Sequence, residues 1–206
     1  MNTHVLPLAQ GMHEALDLLR RGQAFAFPTD TVYGIGADGL NAAAVLQLYT
    51  IKDRPPSQAI PLLLADPDDL GLVSNNVPAR ARALGERYWP GGLTLVVPAA
   101  AHLPTALLAG GTTVAVRVPD QAVLRDLIRQ LGRPLAATSA NLHGYANPRT
   151  AQDVVAQLGA RLPLVLDGGA TPGDIASTIV DVSRPMPRVL RQGVVQVEQA
   201  LLGDIS

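Results

Sequence analysis

The sequence predicts an α/β chain (α+β in its mixing of strand directions), built as a twisted mixed β-sheet flanked by helices. Three observations carry that expectation. Candidate helices and strands intermingle along all 206 residues instead of segregating, which favours a sheet covered by helices. Two pairs of strand candidates, 93–97 with 113–118 and 178–182 with 189–191, lack the helical crossover that parallel neighbours require, so part of the sheet is antiparallel. Glycine and proline are spread throughout, with no repeat, low-complexity tract or linker, so one continuous domain is expected over 1–206.

The elements follow in chain order. Apolar spacing over 12–21 predicts an amphipathic helix, and Gln23-Ala24-Phe25-Ala26-Phe27 reads as a buried strand closed by Pro28. Asn41 is placed to cap a helix over 42–51, which leaves Lys52 and Arg54 on the loop beyond it, free to face a ligand. Further strands are expected at 60–64, 93–97, 113–118, 135–138, 164–166, 178–182 and 189–191. Helices are expected around 77–87, 121–131 and 150–158, with a last one near 197–202.

Composition excludes several chemistries. With no cysteine there is no disulfide framework, thiolate nucleophile or Cys-ligated metal, and the four histidines, His4, His13, His102 and His143, show no metal-ligand spacing. No protein metal site is expected. No apolar run approaches the ~20 residues that span a bilayer, and the N-terminus lacks a basic region followed by an apolar one, so a cytoplasmic protein without membrane contact is expected. A formal net charge of −1 argues against holding nucleic acid by bulk charge. Basic residues are nonetheless clustered, with Arg184, Arg188 and Arg191 unaccompanied by acid between 182 and 197.

Two local features compete as the seat of function. Gly34-Ile35-Gly36-Ala37-Asp38-Gly39 matches the dinucleotide-binding glycine pattern between a strand and a helix. Its spacing is wrong: six residues, Pro28 to Tyr33, separate Phe27 from the first glycine, whereas the fingerprint forms the immediate strand-to-helix turn. The second feature is Lys52, the only lysine against fifteen arginines, in Ile51-Lys52-Asp53-Arg54-Pro55-Pro56. A compact ammonium and a planar fork suit different phosphate and carboxylate geometries.

Four polar clusters interrupt or end apolar strands: Pro28-Thr29-Asp30-Thr31-Val32-Tyr33-Gly34, Lys52-Asp53-Arg54-Pro55, Thr138-Ser139-Ala140-Asn141 and Ser177-Thr178. Arg117 and Arg191 stand at the ends of two further strands. Singly, each has a structural explanation: Thr and Ser cap helices, and Arg117 can pair with Asp120. Together they describe a site rich in cations and neutral hydrogen-bonders at the ends of strands, where α/β folds hold ligands.

The chain resembles the YrdC/Sua5 family, the threonylcarbamoyl-AMP synthases, whose hallmark is Lys-x-Arg followed much later by Ser-x-Asn, here Lys52-x-Arg54 and Ser139-x-Asn141. Pro90-Gly91-Gly92-Leu93-Thr94-Leu95, Val116-Arg117-Val118-Pro119, Ser177-Thr178-Ile179-Val180-Asp181 and Leu190-Arg191-Gln192-Gly193 extend the similarity from about residue 12 to 194, in one order. The resemblance implies a YrdC-like domain with a concave ligand-binding face, of the short kind without the extra C-terminal domain of longer Sua5 members. It implies that L-threonine, bicarbonate and ATP, with Mg²⁺ accompanying the nucleotide, give threonylcarbamoyl-adenylate and pyrophosphate. The adenylate then passes to a tRNA threonylcarbamoyl transferase complex for tRNA t6A37 modification.

The resemblance also implies roles. Lys52 and Arg54 are the catalytic pair and contact ATP phosphates and the carbamate, with Ser57 nearby. Ser139, Asn141, Thr113, Asn147 and Arg191 hold ATP. Thr31, Arg117, Ala137, Thr138 and Ser177 hold L-threonine, with the Arg117 fork on its carboxylate. No protein nucleophile is required, because a carbamate oxygen attacks the α-phosphorus of ATP, and what the site must supply is positioning and positive charge. Two departures stand out: His143-Gly144 replaces Ser-Gly, and Leu63-Leu64-Ala65-Asp66 stands where many members carry a threonine-contacting histidine. The competing readings are a non-catalytic module binding double-stranded RNA or tRNA, and a carbamoyl-transfer domain like that inside hydrogenase maturation proteins.

Overall fold

The structure is a computed structural model that describes residues 3–173 and 176–198. In chain order the elements are β1 (His4–Pro7), α1 (Met12–Arg20), β2 (Phe25–Pro28), β3 (Tyr33–Asp38), α2 (Ala42–Lys52) and β4 (Leu62–Leu63). A 3-10 turn (Pro67–Leu72) leads to α3 (Ala79–Tyr88), β5 (Leu93–Pro98), α4 (Thr105–Leu108), β6 (Thr113–Arg117), α5 (Ala122–Leu131) and β7 (Leu135–Ser139). Then come α6 (Ala151–Leu158), a second 3-10 turn (Gly159–Arg161), β8 (Leu164–Asp167), β9 (Thr178–Asp181) and β10 (Arg188–Arg191). The strands form one ten-stranded sheet in the order β1-β8-β2-β3-β7-β4-β6-β5-β9-β10.

The sheet is mixed, as the short connections predict. β5 pairs antiparallel with β6 and β9 with β10, while β8 lies between β1 and β2 and runs parallel to both. Asn41 caps α2 as expected, its side chain accepting from the Ala44 amide at 3.1 Å. The other predicted helices and strands lie within a few residues of their expected bounds. The helix expected near 197–202 lies mostly outside the described residues, and residues 197 and 198 are not helical. Among the described residues no helix is long and apolar enough to cross a membrane.

Strand β3 was not expected, because its glycines mimic a nucleotide-binding turn. They serve close packing instead. Gly34 and Gly36 pair with Phe27 and Phe25 across the β2–β3 ladder, and a Cβ at Gly36 would come within 2.8 Å of the Phe27 ring and 3.0 Å of the Ala136 carbonyl. The chain therefore omits side chains so that the Phe27 ring can lie over the strand. Strand β1 was also missed; it has only four residues and is mostly exposed, so no apolar periodicity marks it.

The two faces of the sheet are covered unequally. On one, α1 and α5 bury Phe25, Phe27, Leu135, Leu164 and Leu166 in a compact core. The larger core on the other face joins α2 (Val45, Leu48), α3 (Ala81, Leu84) and α6 (Val154, Leu158) to the inward residues of the central strands. Register places Ala137 and Ser139 of β7, Leu63 of β4, Ala115 and Arg117 of β6, and Val96 and Thr94 of β5 on the α1–α5 face. Beyond the reach of those two helices this face is open, and the cavity lies there.

Candidate functional site

A cavity of about 410 Å³ occupies the open part of the sheet face, within the size range of small-ligand sites. Among the described residues its wall is made wholly of strands and loops. Leu63, Val96, Ala115 and Ile179 form an apolar floor, and Thr31, Arg54, Arg117, Thr138, Ser139 and Ser177 stand around it. Of the residues named from the sequence, the structure also brings Ala137, Asn147 and Arg191 to this wall. Ser57, Thr113, Lys52 and Asn141 are not part of it.

Each departure has a physical reason. Thr113 shares a face with Ala115 and Arg117 but stands at the far end of β6, opposite Pro98. Ser57 is exposed in the turn after Arg54. Asn141 is 7% exposed, its amide nitrogen donating to the Tyr145 carbonyl at 2.6 Å. Lys52 corrects the sequence reading most: it is not on a free loop but is the last residue of α2, and is 1% exposed. Its Nζ donates to the carbonyl of Ser139, and to the carbonyl and Oδ1 of Asn141 at 2.6 and 3.0 Å. The hallmark Lys-x-Arg and Ser-x-Asn thus meet, but Lys52 meets the second motif from behind.

Arg54 does face the cavity. It is half-buried, its guanidinium donating to the Ala59 carbonyl at 2.9 Å and reaching Thr138 Oγ1 at 3.4 Å. Burial draws its pKa below the ordinary arginine range. Arg117 is held on three sides. Nε donates to the Gly91 carbonyl at 2.9 Å, one terminal nitrogen to Thr31 Oγ1 at 3.0 Å, and the other to Asp30 Oδ1 at 2.6 Å. Its partner is Asp30, not Asp120. Three of its five N–H groups are thereby engaged, leaving two.

Arg191 reaches in from the last strand of the sheet. Its Nε donates to the Ser177 carbonyl at 3.0 Å and a terminal nitrogen to Ser177 Oγ at 3.1 Å, while Thr94 Oγ1 lies 2.8 Å from that hydroxyl. Burial, and then the Arg117 charge, pull Arg191 below its usual range. Three guanidiniums thus line a wall that carries no carboxylate among the described residues, with Asp30 behind Arg117 as the one acid in contact. Such a cavity is built for anions.

Sequence reasoning gave no role to Asp30, Thr94 or the apolar floor. Thr94 carries a usable signal, being a lone hydroxyl in Leu93-Thr94-Leu95-Val96-Val97. Asp30 lies inside a motif already singled out, and only the fold shows that it faces Arg117.

One pH effect follows from Lys52. Burial, with the Arg54 charge adding to it, lowers Lys52 from 10.5 to about 7. Between those values the unfolded chain keeps the proton and the folded chain has shed it, so the stability contributed here rises with pH across that window and is least below it. Urea unfolding of the wild type and of Lys52→Met should show the wild type gaining on the variant as pH climbs from 7 towards 10.5. A difference that stays flat would mean an ordinary lysine.

The Sua5/YciO/YrdC family profile, described as Telomere recombination, matches residues 17–193. The chain is 39% identical over 195 residues to the threonylcarbamoyl-AMP synthase of Bacillus subtilis, covering 93% of this chain and 56% of that protein. It thus spans little more than half the length of that relative. The threonylcarbamoyl-AMP synthase of Vibrio cholerae is 36% identical over 190 residues, 91% of this chain and the whole of that one. Among solved structures, Pyrococcus abyssi Sua5 complexed with L-threonine superimposes with a TM-score of 0.93 at 33% identity, over 98% of this chain and 61% of that one. The motifs, the fold and these likenesses agree, and the chain belongs to the Sua5/YciO/YrdC family.

Proposed function

We propose that this protein is a threonylcarbamoyl-AMP synthase, forming threonylcarbamoyl-adenylate and pyrophosphate from L-threonine, bicarbonate and ATP. The observation that carries the reading is the convergence of Arg54, Arg117 and Arg191 on one carboxylate-free cavity with hydroxyls between them. The Vibrio cholerae likeness, which spans that whole protein, supports it.

In this reading the two unengaged N–H groups of Arg117 take the threonine carboxylate, with the hydroxyls of Thr31 and Ser177 beside it. Leu63, the register partner of Arg117, offers the threonine methyl an apolar contact. The threonine amine adds to carbon dioxide with loss of a proton, or condenses with bicarbonate with loss of water, giving the carbamate. The carbamate oxygen then attacks the α-phosphorus, and the bond to the bridging oxygen breaks as pyrophosphate leaves. Arg54 and Arg191 stabilise the charge that grows on that leaving group, while Ser139 and Asn147 at the rim hold the nucleotide.

Mg²⁺ suits this site only as a companion of the phosphates. It prefers oxygen ligands and keeps much of its water, and the lining offers hydroxyls without a carboxylate cage. Bound there it neutralises phosphate charge. The adenylate is a reactive mixed anhydride, which suits direct transfer to a tRNA-modifying partner.

Incubating the protein with ATP, labelled bicarbonate and L-threonine tests the reading. Pyrophosphate should appear only when both threonine and bicarbonate are present, with a carbon-labelled adenylate in the product. Release independent of either substrate would sink it.

A further inference from the structure

We infer that Lys52 is a positioning residue, whose side-chain nitrogen holds segment 139–145 in the shape the cavity requires and acts through that segment without touching the ligand. What the cavity binds rests on the synthase reading, but the geometry of the lysine does not. Lys52 is 1% exposed and absent from the cavity wall. In its charged form, below about pH 7, Nζ has three protons, and the Ser139 carbonyl, the Asn141 carbonyl and Asn141 Oδ1 take all three; the neutral amine keeps two of these bonds. The main chain of the same residue grips the same segment, since the His143 amide donates to the Lys52 carbonyl at 2.9 Å.

The lysine is itself anchored. Asp53, directly after it, closes α2 in the left-handed region at φ 52°, and Arg161 donates to the Ile51 carbonyl at 2.9 Å and to Asp53 Oδ2 at 2.8 Å. From Lys52 the order passes outward. Ser139 Oγ donates to Asn141 Oδ1 at 2.5 Å, and the Asn141 amide reaches the Tyr145 carbonyl. Ser139 and Asn147, at and just beyond the two ends of this segment, are the ones that face the cavity. A planar five-donor guanidinium does not fit three acceptors converging on a point, so arginine cannot serve here.

Because Lys52 is the only lysine, ¹⁵N-lysine labelling gives a single side-chain ammonium signal. At mildly acid pH that signal should be protected from exchange in the ligand-free protein. It should stay protected, with no coupling to phosphorus, when ATP is added. Coupling to ³¹P, or loss of protection on binding, would overturn the inference.

A second measurement uses Lys52→Met. Amides 140–145 of the ligand-free variant should exchange about tenfold faster or more, the sign of a segment that has lost its tie. AMP, ADP and ATP should then weaken by a common factor. A phosphate-contacting lysine would spare AMP and cost ATP about tenfold or more, and that result would also overturn the inference. Should the wild type bind none of the three nucleotides, the synthase reading falls, and the ligand-free ammonium signal and amide exchange still decide the role of Lys52.

Discussion

Arg117→Ala is expected to lower the unfolding free energy by about 3–5 kcal/mol and to abolish threonine binding in the protein that remains folded. Two effects add. The side chains of Arg117 and Asp30 are 8% and 18% exposed, so truncating the arginine leaves a carboxylate with little water and no counter-charge. The Gly91 carbonyl and Thr31 hydroxyl lose their donor as well, each at a cost of about 1 kcal/mol or more. Asp30→Ala should be costly for the mirror reason, leaving a buried guanidinium. Replacing both residues with apolar side chains should recover part of the loss, since a buried pair adds little over good packing. Urea unfolding of the four proteins, with calorimetric titration of threonine, separates the terms. A single variant as stable as wild type would mean that water reaches this pair freely.

Arg54→Ala should do nearly the opposite. The side chain is half-buried and its partners are two carbonyls in its own turn, Gln58 and Ala59, and the Thr138 hydroxyl at 3.4 Å on the cavity wall, all of which water can satisfy once it is gone. Stability should change by about 1 kcal/mol, whereas pyrophosphate formation should fall by about 10²–10³, the usual result of removing one preorganised charge from a developing anion. Turnover under saturating substrates and the melting temperature, measured on the same preparation, give both numbers. A melting temperature that falls as far as that of Arg117→Ala would recast Arg54 as structural. The contrast is a matter of depth: two arginines of one cavity differ because one is paired inside the sheet and the other lies on a turn.

The sequence made most of the architecture legible, and the exceptions are instructive. Helices α1, α2, α5 and α6 carry clear apolar stripes or caps, and Asn41 marked the start of α2 to the residue. Strand β3 was hidden because Gly34 and Gly36 erase the side-chain alternation that identifies strands and, with Gly39, imitate a nucleotide turn; only the Phe27 ring and the β7 backbone lying against them explain the two strand glycines. Most of the polar residues on the cavity wall were recoverable from the sequence, while the apolar floor was not. What could not be read was direction. Lys52 and Arg54 are two residues apart and equally cationic, yet the left-handed turn at Asp53 sends one into the interior and the other to the cavity. Such a parting depends on one backbone angle, which the residue types alone do not specify. The partnership of Asp30 with Arg117 was hidden for a related reason, since it joins residues 87 apart in the chain.

The place of β8 in the sheet bears on how the protein is made. It lies between β1 and β2 and runs parallel to both, so the strand that completes this side is the eighth to be synthesised. Until residue 164 emerges, β1 has no strand to pair with and β2 presents an open backbone edge to whatever is nearby. Closing that gap links the first residues of the chain to ones more than 150 positions later, a long-range pairing of the kind that folds slowly. A nascent or truncated chain ending before Leu164 is therefore a natural client for chaperones. In recombinant production, slower synthesis or cooler growth should favour the soluble form.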